Sequence, residues 1–105
     1  MNTNIEVTEF VRMFIESCNA ELHSKIIKML DFLGEYGYEL KMPHTRPIGS
    51  GIHELRVLGK ENIRFFYLFR QSRAILFYAI DKKTQKLSKR DMQQIIQKSK
   101  SVSFD

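Results

Sequence analysis

Positively charged side chains recur on three neighbouring segments in the second half of the sequence. Arg56 lies in a run that alternates apolar and polar residues, Arg64 opens the next apolar run, and a loop with Lys82, Lys83 and Lys86 follows the third. A guanidinium fork can engage two phosphate oxygens at once, and an ammonium group adds a point charge. If the three segments are adjacent strands, these cations converge, and the chemistry that they support is phosphate binding.

Charge is segregated along the chain in the same sense. Residues 1–40 hold three Lys or Arg against seven Asp or Glu, a balance of −4. Residues 41–105 hold fourteen against five, a balance of +9, so the whole chain carries +5. This distribution favours a basic face that binds a polyanion. The alternative left open by composition is that the basic balance only aids solubility.

Three side chains near these cations could move a proton, namely His53, Glu54 and Tyr78. Strand alternation puts His53 on the apolar face of its segment, where a core histidine is the simpler interpretation. Glu54 shares the other face with Arg56 and could act as a base or merely form an ion pair with that arginine. Tyr78, like Tyr67, is either a core aromatic or a surface for stacking a base. The general base therefore stays open at this stage.

Metal and membrane chemistry are not indicated. The three histidines have no metal-ligand spacing, and the lone cysteine, Cys18, falls on an apolar helical stripe and reads as a small hydrophobe. No apolar run approaches the roughly 18 to 20 residues that span a bilayer, and the start of the sequence does not resemble a signal peptide. We expect one cytoplasmic domain over residues 1–105, with no metal, cofactor or membrane partner.

The first half of the sequence predicts two helices. Thr8 can cap the first and Asn19 the second, each ahead of an apolar stripe with helical spacing. Gly34 and Gly37 supply stop signals for the second helix. Because the link between the helices is very short, we expect them to fold back as a helical hairpin.

The second half predicts strands and a last helix. Residues 52–58 alternate, residues 63–69 are rich in aromatics, and residues 74–80 are almost continuously apolar, which suggests a central strand buried on both faces. Short polar turns between them favour an antiparallel meander, with a weak further strand near His44–Ile48. A capping box at Ser88–Asp91 opens the final helix.

Four stretches in this half resemble the RelE/ParE superfamily of type II toxins, and specifically its HigB-like, phage-derived branch. They are Gly51–Arg56 (GIHELR), Arg64–Tyr67 (RFFY), Ile80–Lys86 (IDKKTQK) and Ser88–Asp91 (SKRD). The branch typically carries a GLYELR-like strand, an arginine strand ending in aromatics, a KKTQK loop and a helix opened by a basic and an acidic residue. The resemblance spans roughly residues 8–100, and the KKTQK loop is its most specific part.

The resemblance implies an α+β, RelE-like fold, with an N-terminal helical hairpin packed on a small antiparallel sheet of three to four strands and a C-terminal helix. Family members usually begin with a strand ahead of the hairpin. Here Asn4 to Val7 could form a stub of that strand, or the edge is missing. His53 and Asp81 stand where the family more often has aromatic or small residues.

The function that the resemblance implies is a ribosome-dependent mRNA endonuclease. Its reaction is metal-free, with the ribose 2′-OH attacking the adjacent phosphate. The implied partners are a helix-turn-helix antitoxin, the ribosome and mRNA, with operator DNA bound only through the antitoxin complex. Two alternatives are a ParE-like gyrase inhibitor and an inactive homologue that only binds antitoxin or DNA.

Carried onto this sequence, the resemblance gives a set of site residues. The residues expected to act on the scissile phosphate are Arg56, Arg64, Lys82 and Lys83. The expected RNA contacts are Lys60, Lys86, Thr84 and Tyr67, and the acid/base candidates remain His53, Glu54 and Tyr78.

Overall fold

The computed structural model describes residues 3–57, 59, 62–82 and 86–102. Its strands and helices are, in chain order, β1 (Asn4–Val7), α1 (Glu9–Glu16), α2 (Ala20–Tyr36), β2 (Thr45–Gly49), β3 (Ile52–Val57), β4 (Ile63–Arg70), β5 (Arg73–Asp81) and α3 (Lys89–Ser99). A short 3-10 turn, Gly37–Glu39, follows α2. In the described ranges, no helix has the length and apolar character needed to cross a membrane.

The strands form one sheet in the order β1-β5-β4-β3-β2. β1 pairs with β5 in parallel, and the other neighbours are antiparallel. The prediction of a three- to four-stranded antiparallel sheet led by a helical hairpin is therefore wrong. The sheet has five strands and is mixed, because β1 precedes the helices and forms an edge strand that pairs in parallel with β5. In addition, α1 packs mainly on β5 rather than on α2.

β1 is short and largely exposed, which explains why its sequence gives no clear strand signal. Its position depends on contacts with distant residues. The Thr3 N–H donates to the Gly34 carbonyl at 2.6 Å, and the Asn4 N–H donates to the Ser72 carbonyl at 3.0 Å. A Cβ on Gly34 would lie 3.4 Å from the Thr3 carbonyl oxygen, an ordinary van der Waals distance. Gly34 lies inside α2, so the prediction that it stops the helix is wrong, and the helix ends at Gly37, whose φ of 53° favours glycine.

The predicted caps are confirmed. The Thr8 hydroxyl accepts from the Val11 N–H at 3.4 Å, and the Asn19 side chain accepts from the Leu22 N–H at 2.8 Å. The four predicted strands of the second half also form, close to their expected bounds. The apolar run at 74–80 lies inside the sheet as expected, although β4 holds the middle position.

Helices cover both faces of the sheet. We call the side packed by α1 and α2 the α1–α2 face and the side packed by α3 the α3 face. The core of the α1–α2 face includes Val11, Ile26, Leu33, Leu55, Phe65, Tyr67 and Leu76. The core of the α3 face includes Ile52, Phe66, Leu68, Ile75, Phe77 and Ile95. Alternation along β3 and β4 also carries charged side chains onto the α3 face, next to this second core.

Candidate functional site

The α3 face brings three arginines to one carboxylate. Glu54 and Arg56 follow Ile52 on the same face of β3, as the alternation predicted. Antiparallel pairing sets Arg56 opposite Arg64 on β4, and Arg46 on β2 opposite Glu54. We call Arg46, Arg56 and Arg64 the arginine cluster.

Glu54 is the centre of this cluster and has no exposed surface. Its Oε1 accepts from the Nε of Arg46 at 3.0 Å and from the Nε of Arg56 at 2.9 Å. Its Oε2 lies 3.4 Å from Nη1 of Arg64. A carboxylate removed from water costs several kcal/mol unless charge and hydrogen bonds compensate it. The guanidinium groups supply that compensation.

The cluster retains a surplus of positive charge, since three guanidinium groups and one carboxylate sum to +2. The exposed fraction of the side chain is 34% for Arg46, 20% for Arg56 and 6% for Arg64. Arg46 and Arg56 can therefore contact a ligand from solvent, whereas Arg64 supports the cluster from within. Arg46 and Arg56 both donate to Glu54 through Nε. In the described part of the chain, neither arginine shows a hydrogen bond from its Nη groups. Those groups have the geometry to hold phosphate oxygens.

Lys82 lies between β5 and the start of α3. It follows β5, and its Nζ donates to Oδ2 of Asp91 in the first turn of α3. The same Asp91 oxygen accepts from the Ser88 N–H at 2.8 Å, while the Ser88 hydroxyl accepts from the Asp91 N–H at 3.0 Å, so the predicted capping box is confirmed. The Lys82 hydrogen bond and the Ser88 N–H lower the pKa of Asp91 to about 2. Asp91 thus fixes the lysine to the helix.

The first turn of α3 is otherwise basic. Lys89 and Arg90 are both exposed there, and the exposed Lys86 precedes them. Cations at a helix N-terminus oppose the helix dipole, and a bound anion would relieve that repulsion. This end of α3 therefore extends the positive surface that begins at Lys82.

Tyr78 lies on the same face as the arginine cluster. It is opposite Phe66 on β4, and Phe66 is opposite Glu54. Because Ile80 is the partner of Arg64, Tyr78 is a diagonal neighbour of that arginine, at a typical spacing of about 7–8 Å. Its ring stacks on Phe10 at a centroid distance of 5.4 Å and is only partly buried.

His53 and Tyr67 lie on the opposite face, away from the cluster. Their rings stack at 5.3 Å in the α1–α2 core region. Tyr67 is 1% exposed, and burial raises its pKa to about 12, partly offset by a hydrogen bond with Thr45. Burial also lowers the pKa of His53. Tyr67 is three positions after Arg64 on β4, and side chains alternate between the two faces of a strand, so the two residues point to opposite faces.

Three of the expected site residues, Lys60, Lys83 and Thr84, lie outside the described residues. Conversely, sequence reasoning missed Arg46. A signal was present in the sequence: Arg46 and Glu54 stand equally far from Ser50, the middle residue of the Gly49-Ser50-Gly51 turn between β2 and β3, which makes them partners in a hairpin. No trio of His, Cys, Asp or Glu in the described ranges is arranged to hold a metal ion.

A comparison of the sequence with known protein families gives one match that covers this surface. A family model described as "Phage derived protein Gp49-like (DUF891)" matches residues 13–100. The matched region runs from α1 through α3 and includes the arginine cluster, Tyr78 and Lys82. No curated protein matches the chain.

The buried carboxylate gives a stability prediction. Glu54→Gln keeps the shape of the side chain but removes the charge that balances three guanidinium groups. We expect the free energy of unfolding in urea to fall by about 3 kcal/mol. Glu35→Gln, an exposed carboxylate of α2, is the matched control and should change it by less than about 0.5 kcal/mol. Equal, small effects in both variants would contradict the compensating role of Glu54.

The Lys82–Asp91 contact gives a prediction about pH. A carboxylate with a lowered pKa stabilises the folded state when ionised, and this contribution is lost as pH falls from about 4 towards 2. The free energy of unfolding of Asp91→Asn should therefore lie below that of the unmodified protein at pH 6, and the gap should shrink across that acid range. Asp31→Asn, at an exposed position on α2, serves as the control. A gap that does not change between pH 6 and pH 2.5 would contradict the prediction.

Proposed function

The chain belongs to the Gp49-like family of phage-derived proteins, within the RelE/HigB-like toxins, and on this premise we propose that it is the toxin of a type II toxin–antitoxin pair. We assign it to the HigB-like branch and to ribosome-dependent cleavage of mRNA. The observation that carries the proposal is the arginine cluster: a surplus charge of +2 held by a buried carboxylate at a solvent-accessible sheet face.

The proposed reaction is a transesterification within the RNA. The ribose 2′-oxygen attacks the adjacent phosphorus and loses its proton to solvent water, and the P–O5′ bond breaks. The 5′-oxygen gains a proton from an acid of the protein, which is reprotonated from solvent. The products are a 2′,3′-cyclic phosphate and a 5′-hydroxyl. Charge builds on the non-bridging oxygens in the transition state, where Arg46 and Arg56 stabilise it from fixed positions. Arg64 and Glu54 act as positioning residues, and Lys82, held by Asp91, contacts the strand beside the scissile phosphate.

Tyr78 is the side chain that we propose for proton transfer. Of the three acid/base candidates, Glu54 is fully buried and His53 is on the other face of the sheet. Tyr78 combines partial exposure with the face that carries the cluster. Its hydroxyl can donate a proton to the leaving 5′-oxygen.

The partners follow from the same proposal. A helix-turn-helix antitoxin would neutralise the protein, and operator DNA would be bound only through that complex. The ribosome would present the mRNA, so the protein would act in the cytoplasm. The reaction that we propose uses no cofactor.

The main test is to induce the chain in a bacterial host and to map new RNA 5′-hydroxyl ends. We expect growth arrest and cleavage within translated messages. Arg56→Ala should lower cleavage about 100- to 1,000-fold, because it removes a transition-state contact. Lys100→Ala, which removes an exposed cation at the end of α3, is the matched control and should leave cleavage unchanged.

Other outcomes of this experiment would redirect the proposal. Arrest with damaged DNA and intact mRNA would indicate a gyrase inhibitor. No arrest at normal protein levels would contradict the toxin function. Urea unfolding of purified Arg56→Ala checks that lost cleavage does not reflect an unfolded chain.

Tyr78→Phe tests proton transfer separately. The substitution keeps the ring and its stacking on Phe10 while removing the hydroxyl. We expect cleavage by purified protein on programmed ribosomes to fall about 100-fold, with unfolding in urea shifted little. Full activity of Tyr78→Phe would eliminate Tyr78 as the proton donor, while Tyr38→Phe controls for loss of an exposed hydroxyl elsewhere.

A further inference from the structure

A row of paired residues crosses the α3 face, starting from the arginine cluster. Arg46 on β2 is opposite Glu54, Glu54 is opposite Phe66 on β4, and Phe66 is opposite Tyr78 on β5. The row begins with charged side chains and continues with aromatic rings. All of its residues lie in the described part of the chain, so the path from the cluster to Tyr78 is complete.

A β-bulge in β5 brings Tyr78 to this row. Phe66 pairs with Tyr78 but Tyr67 pairs with Leu76, so Phe77 is an extra residue on β5. Because the extra residue interrupts strand alternation, Phe77 and Tyr78 both pack against the core of the α3 face. In a regular strand, neighbouring side chains would point to opposite faces. The bulge therefore adds aromatic surface beside the arginine cluster.

Phe10 continues the row beyond β5. β1 ends at Val7, and the Thr8 cap then turns the chain into α1, so the first turn of the helix stands where a longer β1 would continue. The Phe10 ring stacks on Tyr78 at a centroid distance of 5.4 Å, and Tyr78 stacks on Phe66 at 6.3 Å. Both distances are typical of aromatic pairs. The three rings form one stack that leads from the middle of the sheet to its edge.

Exposure rises along this stack. Phe66 is fully buried, Tyr78 is partly buried, and Phe10 is 49% exposed. A single exposed apolar residue is normal on a protein surface and needs no explanation. Phe10 differs because its ring is the accessible end of a stack that begins beside the arginine cluster.

The Phe10 ring also lines a cavity of about 240 Å³. Phe77 and Val102 supply apolar surface there, and Lys98 and Ser101 supply hydrogen-bonding groups. A nucleobase combines the same two properties, since its faces stack on aromatic rings and its edges carry hydrogen-bond donors and acceptors. A base placed in this cavity can lie against the Phe10 ring.

The proposed reaction determines which nucleotide reaches this position. Tyr78 is proposed to donate its proton to the leaving 5′-oxygen, and that oxygen belongs to the nucleotide on the 3′ side of the broken bond. This nucleotide therefore lies next to Tyr78, one ring away from Phe10. Its phosphate is the scissile phosphate at Arg46 and Arg56, so the RNA strand follows the row from the arginine cluster towards α1.

We propose that Phe10 is a stacking platform for the base of the nucleotide on the 3′ side of the cleaved bond. Stacking holds that nucleotide so that its 5′-oxygen stays beside the Tyr78 hydroxyl. This assignment rests on the proposed function, because it takes the same RNA and the same direction of cleavage. Since every base has an aromatic face, the platform sets the position of the RNA and tolerates different sequences.

The test first removes the base. Mapped 5′-hydroxyl ends identify the nucleotide on the 3′ side of the break, and a second message is made that lacks only the base of that nucleotide. Cleavage rates are measured with excess purified protein on ribosomes programmed with either message. For the unmodified protein, we expect the missing base to lower the rate about 10-fold, through the loss of one base–aromatic stack.

Phe10→Leu removes the ring and keeps an apolar side chain. We expect it to lower cleavage of the intact message about 10-fold and to cut the base-free message at the same rate as the unmodified protein. The two losses are not additive, because both remove the same contact. Phe10→Trp restores an aromatic surface and should cut the intact message within about 2-fold of the unmodified protein.

Phe32→Leu is the matched control, since Phe32 is an exposed phenylalanine of α2 that also stacks on aromatic neighbours. It should change neither rate. All rates are compared per folded protein, taken from unfolding curves in urea, so that a loosened fold is not counted as a lost contact.

The outcomes separate the platform from the cleavage site. If Phe10→Leu slows cleavage of both messages by the same factor, the ring acts only by supporting Tyr78, and the platform is overturned. Full activity of Phe10→Leu on the intact message, or normal cleavage of the base-free message by the unmodified protein, would overturn it as well. In each case, loss of cleavage in Arg56→Ala would leave the proposed function standing. An unmodified protein that cuts neither message would overturn both proposals.

Discussion

Glu54 is a carboxylate with no exposed surface, and the architecture of the α3 face depends on how its charge is balanced. A single guanidinium would compensate it formally. Three are present, each from a different strand, so the carboxylate also ties β2, β3 and β4 together on this face. The interaction is therefore both structural and electrostatic. It orders side chains that would otherwise repel one another, and it leaves the surplus charge at the surface.

A second carboxylate, Asp91, holds a cation in the same way at the start of α3. Asp91 caps the helix and holds Lys82, so the lysine after β5 is fixed relative to the sheet. Ordinary surface ion pairs contribute little stability and fix little geometry. Here each carboxylate has additional hydrogen bonds or complete burial, and both anchor cations on one face. Preorganised positive charge of this kind suits a developing anionic transition state better than flexible lysines would.

Strand alternation and capping rules predicted much of this arrangement. They placed Glu54 and Arg56 together, separated them from His53, and located the box that opens α3. Two features depend on contacts between distant parts of the chain and could not be predicted from the local sequence. β1 is four residues long and is held by backbone contacts to α2 and β5, and the burial of Glu54 requires β2, a strand weakened in the sequence by a proline. Tyr67, expected among the RNA contacts, lies on the other face of the sheet because of its register in β4.

Under the proposed function, burial of Glu54 would also couple activity to stability. An arginine proposed to contact the phosphate is at the same time part of the compensation for a buried charge, so its removal leaves Glu54 with fewer donors. Loss of cleavage after such a substitution thus combines a lost contact with a loosened cluster. Tyr78 takes no part in that compensation. Its substitution would therefore test the proposed proton transfer with less disturbance of the arginine cluster.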